Sequence, residues 1–198
     1  RLTFRTVMDR NRPFGSIRSD EHKSACRQIG EEGVVLLKND TGLLPLDLGK
    51  IRKIAVIGEN AIKMMIVGGG SSSLKANYEI TPLEGLRNRI EDEAEIVYAR
   101  GYVGDTNGEY NGVNTNQDLT DPRSREELLE EAVRVAGEAD VVLYFGGLNK
   151  SNFQDNENTD RTEFGLPYRQ DELIEALAAA NPNIAVINIS GTGVAMPW

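Results

Sequence analysis

The sequence predicts an α/β fold: a mostly parallel sheet covered by helices on both faces, an α/β sandwich. Three observations carry that prediction. Near-continuous apolar runs at 53–57, 141–145 and 184–189 read as interior strands, with a further strand at 95–99. Amphipathic helical stretches alternate with these runs, the order that builds parallel crossovers. Polar loops follow the ends of three strands, starting at Gly58, Gly146 and Ser190. Such loops share one edge of a parallel sheet and are where ligands gather.

In chain order, residues 1–18 are basic, and Arg10, Arg12, Pro13 and Gly15 break any periodicity, so they read as an inter-domain linker. A sandwich domain over 19–198 follows. Ser19 is placed to cap a helix over Asp20–Glu32, with Ala25, Cys26 and Ile29 on a core-directed face and Gly33 ending it. Val34-Val35-Leu36-Leu37 is an all-apolar strand candidate, and Asn39–Gly42 a turn. The strand at 53–57 leads, after Gly58, toward a Gly-rich loop, Gly68–Ser73. Pro82–Ile90 carries Pro in its first turn and reads as a helix. Residues 101–123 form a long polar insertion rich in Asn and Gly. Ser124-Arg125-Glu126-Glu127 is a capping box opening a helix to about Glu138. Pro167–Ala180 reads as the last helix. The chain opens at Arg1 without Met and closes on Val-Ala-Met-Pro-Trp198, which reads as an internal piece of a longer protein and leaves the compartment open.

The 198 residues carry 22 Lys plus Arg against 31 Asp plus Glu, a net charge of −9. That balance argues against bulk electrostatic binding to nucleic acid or to an anionic membrane. Residues 1–40 are the exception in sign, with eight basic and six acidic groups. No apolar run approaches the roughly 20 residues of a spanning helix. The one cysteine, Cys26, excludes an internal disulfide and a Cys-rich zinc site. His22 is the one histidine, and nothing spaced around it makes a metal site. No cofactor is expected.

Two segments carry candidate chemistry. Gly68–Ser73 exposes backbone N–H groups, but it lacks the Lys-Ser/Thr of a phosphate loop and opens no helix. A nucleotide- or flavin-binding module built on it is therefore the alternative reading, separable by the absorbance of a bound cofactor. Residues 146–161 form a long loop without helix or strand signal, the kind that is usually functional or disordered. Asp160-Arg161 reads as an ion pair anchoring its end. Asp155 and Glu157 sit near Phe153 and near amides such as Gln154, which can bond sugar hydroxyls. A carboxyl in such a pocket can be held protonated and serve as general acid. The plainer reading is a solvated acidic loop.

Several segments together resemble the second domain of family 3 glycoside hydrolases, the β-glucosidase family. They are Glu31–Asp40 with Leu43-Leu44-Pro45-Leu46, Ile54–Ala61, Gly68-Gly69-Gly70-Ser71, Asp140–Leu148, Glu157 with Asp160-Arg161, Leu166-Pro167 with Gln170, and Asn188–Trp198. They run in family order from about residue 20 to the end. The resemblance implies a retaining exo-acting β-glycosidase that hydrolyses terminal β-linked glucosyl residues, from oligo- or aryl-β-glucosides. It implies an active site shared by two domains. A preceding (β/α)-barrel of the same polypeptide supplies the nucleophilic aspartate, and this domain supplies the acid/base.

The family pattern Glu-Gly-x-Asp-Arg puts Glu157 in the acid/base role, with Asn158 where glycine is usual and Asp155 as the fallback. Ser71 and its neighbour Gly70 match a loop that reaches the active site, and Phe153 and Gln154 on the acidic loop are further candidates for binding substrate. The resemblance implies no metal and favours a periplasmic or secreted location. It leaves oligomeric state open, a homodimer included. A non-catalytic carbohydrate-binding or packing domain, with Glu157 as surface charge, is the third reading.

Overall fold

The computed structural model describes residues 7–66, 71, 74, 76–104, 109–110, 113–114, 117–157 and 159–198. The chain divides into two units, residues 1–40 and 41–198.

In the first unit, α1 spans Asp20–Glu32 with the expected caps: Ser19 Oγ accepts the His22 N–H at 3.3 Å, and Gly33 closes the helix. Acidic Asp20 and Glu21 sit at its positive end. The expected core-directed face is not buried. No residue of α1 is buried, Cys26 is exposed, and Ile29 is 71% exposed. The strand expected at Val34–Leu37 is also absent: these side chains are exposed and the backbone is irregular. An apolar run becomes a strand only when a neighbour supplies the ladder and a surface to cover. Among the described residues of this unit nothing does so.

The second unit is built on a four-stranded sheet of β1 (Lys53–Ile57), β2 (Glu95–Ala99), β5 (Val141–Gly147) and β6 (Ile184–Ile189), in the order β2-β1-β5-β6. Every pairing is parallel. β1 and β5 are the interior strands and are buried almost throughout. β6, expected to be interior, lies at an edge of the described sheet and is mostly half-buried. Its apolar sequence reflects packing of its faces, which hydrophobicity reports; its missing lateral partner leaves no such mark.

Alternation along the interior strands divides the core. Ala55, Ile57, Val142 and Tyr144 face α3 (Arg125–Gly137) and α4 (Gln170–Ala180), meeting Ala132, Val135, Leu173 and Leu177. Ile54, Val56, Leu143 and Phe145 face the other way, toward Leu83 and Ile90 of α2 (Pro82–Ile90) and the apolar stretch Leu43–Leu48. Helices therefore cover both faces, as expected. The predicted insertion contains a short antiparallel hairpin, β3 (Glu109–Tyr110) with β4 (Val113–Asn114).

The helix expected over 167–180 is divided. Pro167–Arg169 is a 3₁₀ turn, and α4 starts only at Gln170. Tyr168 and Arg169 hold φ of 62° and 57°. Two left-handed residues cannot continue a right-handed helix. A tertiary contact and a local one hold them: Tyr168 stacks on Tyr102 with ring centroids 5.8 Å apart, and Arg169 Nε bonds Glu172, three residues on, at 2.6 Å.

The strand order reverses between β1 and β5. β2 lies to one side of β1 and β5 to the other, which makes the carboxyl ends of β1 and β5 a topological switch point, the place where open parallel sheets bind ligands. Gly58 ends β1 there at φ 115°, and a Cβ on it would overlap the Phe145 carbonyl. That is a close approach only glycine permits.

Candidate functional site

The carboxyl end of β5 is fixed by a buried amide. Gln170, fully buried at the start of α4, accepts the Tyr144 O–H at 2.8 Å and the Gly147 N–H at 2.9 Å. Its Nε2 donates to the Gly147 carbonyl at 2.8 Å. Burial pushes the Tyr144 phenol well above its ordinary pKa, so it remains a neutral donor. From the β1 side, Asn60 Nδ2 donates to the Leu148 carbonyl at 3.1 Å, tying the two loops together.

The loop of residues 148–161 is held by its own polar side chains. Gln154 is spent internally: Oε1 accepts the Asn149 N–H at 2.9 Å and Nε2 donates to Tyr168 Oη at 2.6 Å. The Asp155 N–H donates to the Asn149 carbonyl at 2.9 Å. Phe153, with φ 62° and 60% exposed, donates its N–H to Thr159 Oγ1 at 2.8 Å. An exposed aromatic residue in left-handed backbone is uncommon and is maintained by its surroundings.

Of the candidate residues, Ser71 and Glu157 meet: Ser71 Oγ donates to Glu157 Oε1 at 2.7 Å, across 86 positions of sequence. Asp155 faces elsewhere. Its carboxylate accepts the Gly191 N–H and, at 3.4 Å, the Thr192 O–H. Gly70 and Asn158 lie outside the described residues, as do Gly68, Gly69, Ser72 and Ser73. The anchor expected from an Asp160–Arg161 pair is made by Arg161 with other partners. Its Nη2 donates to the Gly193 carbonyl at 2.7 Å, and its guanidinium lies 5.9 Å from the Phe164 ring centre.

Gln154, Asp155, Glu157, Arg161, Gly191 and Thr192 line an open groove of about 380 Å³. Sequence reasoning chose the loops at 58–61, 146–161 and 190–193, which hold Asn60 and Thr159 without giving either a role, and missed Tyr168, which has no local signal. A second depression of similar volume, by Arg87, Glu91 and Glu95, lies at the amino end of β2, away from the ligand-gathering edge.

A buried ion cluster sits just past β1. Glu59 accepts Lys63 Nζ at 3.1 Å, Arg100 Nη2 at 2.7 Å and the Gly104 N–H at 2.6 Å, with all three charged side chains nearly inaccessible. Each charge is compensated, which burial requires. Arg100 continues to Asp121 at 3.6 Å, and Asp121 to Arg123 at 2.7 Å. Its bond to Arg123 holds the Asp121 carboxyl down at about 2. Among the described residues no group of three His, Cys, Asp or Glu is placed to hold a metal ion.

Chemically, the groove offers two exposed carboxyls, Glu157 and Asp160, of which Glu157 is paired with the Ser71 hydroxyl, on loops fixed to the scaffold. Such a set can donate and accept a proton at a bound polar substrate.

Residues 34–198 match the family model described as the glycosyl hydrolase family 3 C-terminal domain. The chain is 42% identical over 203 residues to beta-glucosidase BoGH3A of Bacteroides ovatus, covering all of this chain and 26% of that protein. It is 34% identical over 179 residues to the periplasmic beta-glucosidase of Salmonella typhimurium, covering 88% of this chain and 23% of that protein. It also matches the crystal structure of a GH3 beta-glucosidase from Bifidobacterium adolescentis with a TM-score of 0.72 and 31% identity, over 98% of this chain and 25% of that one. The chain thus spans about a quarter of the length of these relatives.

Proposed function

The chain belongs to the glycosyl hydrolase family 3 C-terminal domain family, and on that premise we propose that it supplies the general acid/base of a retaining exo-β-glycosidase. The substrates are terminal β-linked glucosyl residues of oligo- or aryl-β-glucosides, as the names of its relatives suggest. The observation that carries this reading is the Ser71–Glu157 hydrogen bond. It joins Ser71 to the acidic loop at the groove that Glu157 lines, with Glu157 exposed there.

Retention needs two carboxyls about 5–5.5 Å apart, one nucleophile and one acid/base. Glu157 is the second. It gives its proton to the leaving glycosidic oxygen while the nucleophile bonds the anomeric carbon. It then takes a proton from the water that cleaves the glycosyl-enzyme. The nucleophile belongs to a barrel domain of the same polypeptide, a placement supported by relatives four times as long as this chain. Ser71 orients the Glu157 carboxyl and Phe153 offers a face to the sugar, beside Gln154, which braces the loop. A periplasmic or secreted location follows by analogy with the Salmonella relative. The family match leaves the nucleotide- or flavin-binding reading of Gly68–Ser73 without a supporting observation.

The test is Glu157→Ala in the full-length polypeptide. Hydrolysis of glucosides with poor leaving groups falls by about 10²–10⁴-fold. Activated aryl glucosides, which need little protonation, lose much less in their first step. Azide partly restores turnover by attacking the glycosyl-enzyme without base help and yields the β-glycosyl azide. A uniform loss across leaving groups with no azide product would remove the role from Glu157.

A further inference from the structure

We infer that Asp155 is the positioning residue that sets the acid/base loop, a carboxylate strut rather than a proton donor. The inference rests on the reading of Glu157 given above. Asp155 and Glu157 are two residues apart on one loop, yet their carboxyls have unlike surroundings. Glu157 is exposed and accepts from Ser71 Oγ. Asp155 is half-buried and turned onto the loop that follows β6, where the Gly191 N–H and the Thr192 O–H both donate to it.

A group that gives its proton to substrate needs an acceptor opposite it. Asp155 faces two donors instead. Its own N–H is bonded back to the Asn149 carbonyl at 2.9 Å, so the residue is fixed at both ends. The strut therefore spans from the start of the β5 loop to the β6 loop, and Glu157 projects from the two residues beyond it. Close quarters support the assignment: a Cβ on Gly191 would lie 3.3 Å from the Asp155 carboxyl carbon, so the glycine leaves the N–H open to it. Arg161 braces the far end of the same loop on the next carbonyl of that segment, Gly193. Two ties, on either side of Glu157, thus fix the acidic loop to the 190–193 loop. Misplacing a catalytic group by about 1 Å can cost about 10²-fold in rate.

The test compares Asp155→Asn and Asp155→Ala with Glu157→Ala in the full-length polypeptide. Asn keeps an oxygen acceptor for the Gly191 N–H but cannot act as an acid. Asp155→Asn is expected within about threefold of wild type, while Asp155→Ala loses about 10–100-fold in kcat on poor leaving groups, with KM changed by less than about threefold. The Ala variant loses much less on activated aryl glucosides. In the Glu157→Ala background, Asp155→Ala adds little, because the strut acts through an acid already removed.

The proposal is overturned if Asp155→Asn is as impaired as Asp155→Ala, or if azide rescues Asp155→Ala, since either result makes Asp155 itself the acid. It is also overturned if Asp155→Ala matches wild type, or if its loss is uniform across leaving groups and additive with Glu157→Ala. A Glu157→Ala enzyme lacking the leaving-group split overturns the acid assignment beneath it. That split beside a silent Asp155→Ala overturns the strut alone.

Discussion

Gln170 is wholly buried, and its amide meets the Tyr144 hydroxyl and both backbone polar groups of Gly147. Gly147 sits at φ 109°, and a Cβ there would overlap the Ile189 carbonyl, so β5 and β6 approach closely where the acidic loop departs. Replacing Gln170 with Ala leaves three buried polar groups without a partner. The expected cost is on the order of 3 kcal/mol in urea unfolding, with Tyr144→Phe costing about 1 kcal/mol. Leu-Pro and Gln170 were legible as part of a family pattern, but that pattern says nothing of what the amide holds. Likewise, the offset of Glu157 from Asp160-Arg161 marked it out in sequence, whereas the Asp155 partners lie 36 and 37 positions away. A hydrogen bond over that separation leaves no local trace.

At the scale of elements, local chemistry determined most boundaries. α3 opens on a complete capping box: Ser124 Oγ accepts the Glu127 N–H at 3.2 Å, and Glu127 Oε2 accepts the Ser124 N–H at 2.7 Å. Ser124→Ala is expected to cost about 1 kcal/mol, read from the shift in the denaturation midpoint at unchanged slope. α2 follows the same logic, with Thr81 as cap and Pro82 in the first turn. Elements failed where a neighbour outside the segment decided. Val34–Leu37 has strand composition without a ladder partner among the described residues. Tyr168 and Arg169 have unremarkable helix propensity but hold left-handed backbone where Tyr168 meets Tyr102 and Gln154 from outside the segment.

Over the whole molecule, most ion pairs among the described residues are local, but one run of them joins distant segments. Arg123 reaches both Asp121 and Glu131, and Arg100 links Asp121 to Glu59. The Asp121 carboxyl ionises near 2 when folded, against an ordinary value of 3.8, because Arg123 bonds its charged form. A group depressed in the folded state stabilises it above the unfolded value. That contribution is complete above about pH 3.8 and fades as the pH falls toward 2. Asp121→Asn is expected to lose on the order of 1–2 kcal/mol at neutral pH and to show a flatter stability curve across that acid range, followed by thermal melts at stepped pH.

Composition, periodicity and capping determined the α/β class, the positions of β1, β2 and β6, and the helices α1 to α3, because these features are written in neighbouring residues. The ordered motifs likewise determined the family. Tertiary structure alone decided that β6 lies at an edge of the described sheet, that the last helix starts at Gln170, and that Ser71 meets Glu157 while Asp155 turns to Gly191. Those outcomes depend on which segments become neighbours after the sheet assembles. Sequence periodicity records which face of an element is buried, and carries no information about the partner that buries it.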